Sequence, residues 1–337
     1  MEGGSFMKKV MNQPEHIVSQ MLDGMAQAYP ERLRLLEETG VLVRRDAPVN
    51  GKVGLVSGGG SGHEPAHGGY VGKGMLDAAV AGEVFTSPTP DQILKAIQAV
   101  DSGEGVLCIV KNYTGDVLNF EMAAELAAAE GIQVEQVIVH DDVAVEDSTH
   151  TTGRRGIAGT VLVHKIAGAK AEQGASLKEV KEVVEETVSR VRSMGVALEP
   201  CTLPEAGQPS FTLGTDEIEL GIGIHGEPGV ARTEQLPAEA LVKRLSGKVI
   251  GDLPFERGDR VAVLVNGMGS TPLMELHVVH RELIEILSEN GLTPVQAWVG
   301  EYMTSLDMAG FSITLLKLNK ELEQLLLSES DTPAFRV

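Results

Sequence analysis

Apolar positions in the first half of the chain fall into short runs separated by longer amphipathic stretches. The runs at 53–57 (VGLVS), 105–110 (GVLCIV) and 133–139 (QVEQVIV) have the length and composition of strands. Helical spacing occupies 14–27, 90–100, 117–130 and 157–173. Thr89-Pro90-Asp91-Gln92 has the form of a capping box with proline at the first helical position, and a second box, Ser176-Leu177-Lys178-Glu179, opens an amphipathic helix over 177–194. Strands alternating with helices predict an α/β unit with a doubly wound, mostly parallel sheet. Beyond residue 195 the pattern changes. Strand runs at 217–225, 260–265 (RVAVLV), 295–299 (VQAWV) and 311–318 (FSITLLKL) share one helix near 272–289. Fewer crossovers than strands predict a mixed, α+β sheet. The expectation is two domains, an N-terminal 1–194 and a C-terminal 195–337, in keeping with a chain of 337 residues. The Pro/Gly-rich piece 200–215 reads as a surface connection between elements of the second.

The clearest period of two runs from Glu217 to His225. It puts Ile218, Leu220, Ile222 and Ile224 on one face and Glu217, Glu219, Gly221, Gly223 and His225 on the other. The isoleucine face is core. The opposite face ends in two glycines and an imidazole, and glycine within a strand marks a bulge or a close approach. On spacing alone two readings stand: a histidine facing a ligand, or a strand-end histidine bonded to nearby backbone.

Composition narrows the partners. Hydrophobic residues make up 42%, ordinary for a globular protein, while 28 Lys and Arg against 48 Asp and Glu leave a net charge of −20. That balance argues against nucleic acid or an anionic membrane surface, which call for clustered positive charge. No apolar run reaches a membrane span, and the start MEGGSFMKKVMNQPEH lacks the apolar stretch of a secretory signal. MEGGSF has the look of an added leader before a native start at Met7. Two cysteines, Cys108 and Cys201, make no disulfide framework, so the cytoplasm is the expected location.

Candidate chemistry sits in loops. Ser57-Gly58-Gly59-Gly60-Ser61-Gly62-His63-Glu64-Pro65 is expected directly after a strand. It lacks the Lys-Ser/Thr of a P-loop, and His63 stands where a dinucleotide fingerprint or a nucleophile elbow needs glycine. It reads either as backbone amides approaching a small polar ligand with His63 at the end, or as a turn. His63-Glu64-Pro65-Ala66-His67 matches H-E-x-x-H, but the motif needs a continuous helix, which Pro65 and the surrounding glycines oppose; no metal is expected. Lys111-Asn112-Tyr113-Thr114-Gly115-Asp116 follows a strand where α/β sheets bind ligands. Asp116 also stands where an N-cap belongs for the helix 117–130. Asp141 and Asp142 either line the same rim or end a strand. Met268, Met274, Met303 and Met308 read as packing, and His277 and His280 as a solvated helix face.

Together SGGGSGHEP (57–65), GEVFTSPTPDQI (82–93), IVKNYTGDVLNFE (109–121), TTGRRGIAGT (151–160), GIGIHGEPG (221–229) and TSLDMAGFSITLL (304–316) resemble the substrate-binding K subunit of dihydroxyacetone kinases. The resemblance runs from about residue 8 to the end. It implies that His225 attacks the ketone carbon of dihydroxyacetone and holds it as a hemiaminal through Nε2. It implies His63 as acid/base, Asp116 as the carboxylate that orients or deprotonates the reacting hydroxyl, and Gly60, Ser61, Gly62, His63 and Lys111 as substrate contacts. So small a ligand has few atoms for noncovalent affinity, at most about 1.5 kcal/mol each, and a reversible bond to the carbonyl excludes polyols. The chain has no P-loop and no protein-kinase motifs. The resemblance places ADP/ATP and Mg²⁺ on a separate helical L subunit, recharged by a phosphocarrier of the phosphoenolpyruvate-dependent phosphotransferase system, and implies a homodimer. A second reading is a paralogue that senses dihydroxyacetone as a transcriptional co-regulator; His63 and Asp116 beside His225 favour the enzyme. Which short ketose or aldose is preferred is left open.

Overall fold

The computed structural model describes residues 8–146 and 153–337; the expected leader and start at Met7 lie outside them, as do Thr151 and Thr152 of the TTGRRGIAGT stretch. The chain is an α/β protein built on two mixed six-stranded sheets. The first comprises β1 (Leu33–Leu36), β2 (Val41–Arg44), β3 (Gly54–Ser61), β4 (Ala78–Val84), β5 (Val106–Lys111) and β6 (Val134–Val139), in the order β1-β2-β4-β3-β5-β6. Strands β4, β3, β5 and β6 run parallel, as the strand–helix alternation predicts, and β1 and β2 add an antiparallel edge. The second comprises β7 (Val191–Glu199), β8 (Glu217–Leu220), β9 (Ala231–Glu234), β10 (Arg260–Gly267), β11 (Thr293–Glu301) and β12 (Ala309–Leu318), in the order β11-β10-β12-β7-β8-β9. Only β10 and β11 are parallel there.

The helices are α1 (Ile17–Ala28), α2 (Pro90–Val100), α3 (Thr114–Ala129), α4 (Thr160–Glu172), α5 (Leu177–Arg190), α6 (Ala238–Asp252), α7 (Leu273–Glu289) and α8 (Lys320–Leu326). Both predicted capping boxes form, at Thr89/Gln92 and Ser176/Glu179. Alternation along β5 sends Val106, Cys108 and Val110 into a core with α2 and α3, and Leu107 and Ile109 into a core with α4 and α5. Along β10, Ala262 and Leu264 join that same α4/α5 core, whereas Val261, Val263 and Val265 face α6 and α7. Helices α4, α5 and α8 are therefore the filling between two sheets. This explains why every residue of α4 from Thr160 to Ala169 is buried: it has no solvent face to make polar.

Several expectations are corrected. The helix predicted over 177–194 ends at Arg190, and the chain turns directly into β7, whose Val191–Val196 pair with β12. Ladder partners more than a hundred residues away override the local helical pattern. Ser57–Ser61 continue β3 instead of forming a loop after it. The strand predicted over 217–225 stops at Leu220, because Gly221 takes φ +77°, yet Ile222 and Ile224 stay buried. Asp116 is not an N-cap: α3 begins at Thr114, Tyr113 occupies the cap position, and Asp116 lies buried in the first turn. Met268, Met303 and Met308 are core residues, but Met274 is exposed at the start of α7. Cys108 and Cys201 are both free and buried. Among the described residues no helix is long and apolar enough to cross a membrane.

Candidate active site

Three segments converge beyond the carboxyl ends of β3 and β5: residues 62–67, the turn from Lys111 to Asp116, and the piece 221–229 after β8. Glycines permit the approach. A Cβ on Gly58 would strike the carbonyl of Val80 on the neighbouring strand, and one on Gly59 would stand 2.5 Å from Lys111 Nζ. A side chain at position 59 would therefore displace the ammonium.

His63 is fully buried. Its Nδ1 lies 2.7 Å from the carbonyl oxygen of Thr304, which can only accept, so Nδ1 carries the proton. Nε2 then holds a lone pair and has no hydrogen-bond partner among the described residues. Burial, reinforced by His225 and Lys111, pushes this imidazole well below the ordinary histidine range, so it rests neutral.

His225 is held from the opposite side. Its Nδ1 is 2.6 Å from Glu227 Oε1, and its backbone N–H donates to Glu227 Oε2 at 2.9 Å. Burial alone would raise the Glu227 carboxyl, but His225 and Arg155 prevail and hold it at about 2. An ionised carboxylate accepts, so Nδ1 of His225 donates, and a neutral ring presents its lone pair on Nε2. The His225 ring meets Tyr113 at 4.7 Å, His63 at 4.8 Å and Phe85 at 5.1 Å, each close to edge-on. These three rings fix its orientation. Phe85 adopts φ +55° and Leu306 φ +54°, and both press on Gly62, where a Cβ would sit 2.8 Å from the Phe85 ring. Strained non-glycine residues of this kind concentrate at functional sites.

Lys111 and Asp116 form the third wall. Lys111 Nζ is buried, 3.9 Å from Asp116 Oδ2 and 3.2 Å from His67 Nε2. Burial lowers the Lys111 ammonium from its ordinary value, against the pull of Asp116 and Glu227. Ser87 Oγ donates to the other Asp116 oxygen. Of the remaining predicted contacts, Ser61 Oγ donates to the Gly82 carbonyl at 2.7 Å and the Gly62 N–H donates to the Glu64 carboxylate at 3.1 Å. Gly60 packs against the Phe85–Thr86 backbone.

Asp141 and Asp142 do not line the pocket. Asp141 accepts from the N–H groups of Ile157 and Gly159 at the start of α4. Asp142 pairs with Nε and Nη2 of Arg155, and Nη2 also donates to the Gly221 carbonyl at 2.7 Å, which braces the His225 segment. Residues 62–67 are bends and turns, not helix, and His63 and His67 face different partners. Among the described residues no group of three or more His, Cys, Asp and Glu is arranged to hold a metal ion. His277 is exposed and His280 half-buried on α7.

Sequence reasoning missed Glu227, Arg155, Tyr113, Phe85 and the partner role of His67. Glu227 had a local signal, a carboxylate two residues after the histidine. Tyr113 and His67 lie in the same segments as Lys111 and His63 but have no spacing signal of their own, and Phe85 and Arg155 reach the site from separate elements.

Residues 23–334 match the family model described as the Dak1 domain. The chain is 58% identical over 315 residues to the dihydroxyacetone-binding subunit of PTS-dependent dihydroxyacetone kinase 1 of Listeria innocua, covering 94% of this chain and 95% of that protein. It is 46% identical over 352 residues to the dihydroxyacetone-binding subunit of the PEP-dependent dihydroxyacetone kinase of Escherichia coli, covering 97% and 99%. In structure it resembles the dihydroxyacetone kinase of C. freundii, with TM-score 0.89 and 41% identity, over 98% of this chain and 60% of that one. It also resembles a dihydroxyacetone kinase operon co-activator, with TM-score 0.87 and 40% identity, over 94% and 97%.

Proposed function

Because this chain belongs to the Dak1 domain family, we propose that it is the dihydroxyacetone-binding subunit of a PTS-dependent dihydroxyacetone kinase and that it captures its substrate covalently on His225. One observation carries the reading: two imidazoles 4.8 Å apart, each with Nδ1 committed to an acceptor and so each with Nε2 left for chemistry. A histidine held by a carboxylate and facing a second, neutral histidine is the arrangement expected of a nucleophile beside a base.

In the capture step His225 Nε2 attacks the carbonyl carbon. The N–C bond forms, the π pair moves to oxygen, and that oxygen takes up a proton from the medium. The ring keeps its Nδ1–H and becomes cationic, so the Glu227 carboxylate opposes a charge that was absent before. A terminal hydroxyl of the anchored triose then lies toward His63 and Asp116. His63 Nε2 would accept the hydroxyl proton as the oxygen attacks the terminal phosphorus of ATP and the bond from that phosphorus to the ADP oxygen breaks, ADP leaving on the L subunit, while Asp116 with Lys111 orients the hydroxyl. Positioning and charge stabilisation dominate phosphoryl transfer, which is what a covalent tether supplies. The phosphoryl donor would be ATP with Mg²⁺ on a separate L subunit, where the ADP left behind is recharged by the phosphocarrier, with this subunit acting as a homodimer.

A co-regulator reading remains as the alternative, given the likeness to the operon co-activator. Sensing needs the anchor but not a base, and the neutral His63 beside His225 supports the enzyme. The deciding experiment is phosphorylation of dihydroxyacetone by this chain with a purified L subunit. Stoichiometric binding without turnover would favour the co-regulator.

A further inference from the structure

Behind Lys111 lies a chain of buried side chains that the capture and transfer steps do not use. Lys111 Nζ is 3.2 Å from His67 Nε2, and His67 Nδ1 is 3.0 Å from His164 Nε2. His164 Nδ1 ends the chain, buried and without a hydrogen-bond partner among the described residues. His67 precedes the short 3-10 turn Gly68–Tyr70, and His164 sits on α4 between the sheets. Burying polar rings this deep costs stability wherever a ring nitrogen is left without a hydrogen bond, as His164 Nδ1 is among the described residues.

We propose that His67 and His164 are positioning residues for the transfer site, a neutral imidazole pair, both protonated at Nδ1, that holds the Lys111 ammonium aimed toward Asp116. The inference rests on the reading above that Lys111 contacts the substrate.

The protonation pattern follows from donor counting. An ammonium can only donate, so His67 Nε2 accepts and carries no proton. A neutral His67 then has its proton on Nδ1, which donates to His164 Nε2. That nitrogen in turn is bare, and the His164 proton falls on Nδ1, the atom without a partner. One assignment at Lys111 therefore sets both tautomers. The reverse order would require Lys111 to be a neutral amine that accepts from His67.

The groups around Lys111 favour the ammonium. Asp116 Oδ2 on α3 lies 3.9 Å away, and Glu227 on the 221–229 segment adds a second negative charge. The Tyr113 ring lies 5.9 Å from Nζ. The other titratable neighbours are His63, His67 and His164. A proton on His67 Nε2 would face the ammonium at 3.2 Å, and burial first, then the Lys111 charge, keeps both rings neutral, His164 at about 3. A neutral acceptor here suits the task. A carboxylate in its place would draw the ammonium away from Asp116 and the substrate, whereas an imidazole holds it by one directional bond.

The test has two arms. In the free chain labelled with ¹⁵N-histidine, long-range proton–nitrogen correlation at about pH 7.5 reports the tautomer of each ring, with signals assigned through His67→Gln and His164→Gln. The expected result is Nδ1–H at both residues, with the His67 signals shifting in Lys111→Met. Nε2–H or imidazolium at His67 overturns the proposal. The second arm is steady-state kinetics with the L subunit. His67→Met removes the acceptor, which lowers the affinity of Lys111 for its proton. The alkaline limb of kcat/KM should move down by about one unit, with a loss on the order of ten- to a hundredfold. His67→Gln, whose Oε1 can accept from Lys111, should recover most of both. Wild-type rate and limb in His67→Met, alongside a damaged Lys111→Met, overturns the proposal. The first arm needs no substrate, so a failure of the kinase reading shows separately, as a wild-type chain with the expected tautomers and no turnover; the positioning role falls with it.

Discussion

Replacing Glu227 by glutamine tests whether the carboxylate acts on the anchor or only on the fold. Glu227 Oε1 lies 2.6 Å from His225 Nδ1, and Oε2 accepts the His225 backbone N–H at 2.9 Å. Although burial pushes this carboxyl up, His225 and Arg155 hold it at about 2, so it is ionised in the free chain. In the adduct the imidazole bears a full positive charge, so the carboxylate interacts more strongly after capture than before. Hydrogen bonds to charged groups contribute about 1.5–3 kcal/mol and neutral ones about 0.5–1.5. Glutamine keeps a neutral bond, so Glu227→Gln should weaken adduct formation by about 1–2 kcal/mol, roughly five- to thirtyfold. Titration with dihydroxyacetone carrying ¹³C at its carbonyl reads this directly, since the ketone signal is replaced by that of a tetrahedral carbon. The same residue should act on stability. Its depressed value contributes stability that is complete above about pH 4.5 and is lost as the pH falls toward 2. The gap in unfolding free energy between wild type and Glu227→Gln should close over that window. A variant that forms the adduct with wild-type affinity would refute the anchoring argument, whatever happened to its melting curve.

Other outcomes follow from the same geometry. His63→Ala and Asp116→Asn should retain the tetrahedral ¹³C signal while losing about 10²–10⁴-fold in kcat with the L subunit, because a general base acts on transfer and not on capture. Near-normal kcat in both would favour the co-regulator reading. Gly223→Ala should cost about 1–3 kcal/mol and abolish the adduct, since the new Cβ would collide with the Glu227 carboxylate and stand 2.7 Å from Arg155 Nη1; thermal melting and the ¹³C titration check the two effects separately. With Mg-ATP but no L subunit the chain should not phosphorylate dihydroxyacetone, and robust turnover in a coupled assay would overturn the two-polypeptide mechanism.

What the chain encodes locally was legible without coordinates. The strand–helix alternation, both capping boxes and the amphipathic start of α5 depend on residues within a few positions of one another, and each formed as expected. The loops that carry His63, Lys111 and His225 were likewise visible, because glycine density and strand ends are local signals. What tertiary structure decided depends on neighbours far away in sequence. Ser57–Ser61 look like a loop by composition, and they are strand because β4 lies close enough to pair with them. Val191–Val196 continue a helical pattern, and they are strand because β12 offers a ladder. Asp116 has the sequence position of a cap, and it is instead buried beside Lys111 because α3 begins one turn earlier. The protonation states were wholly beyond the sequence. His63 is a neutral imidazole with its proton on Nδ1 because the Thr304 carbonyl, 241 positions away, accepts a hydrogen bond there and because burial opposes a second proton. A side chain's identity lists the chemistry open to it; the partners and the solvent exclusion that select among those options exist only once the chain has folded.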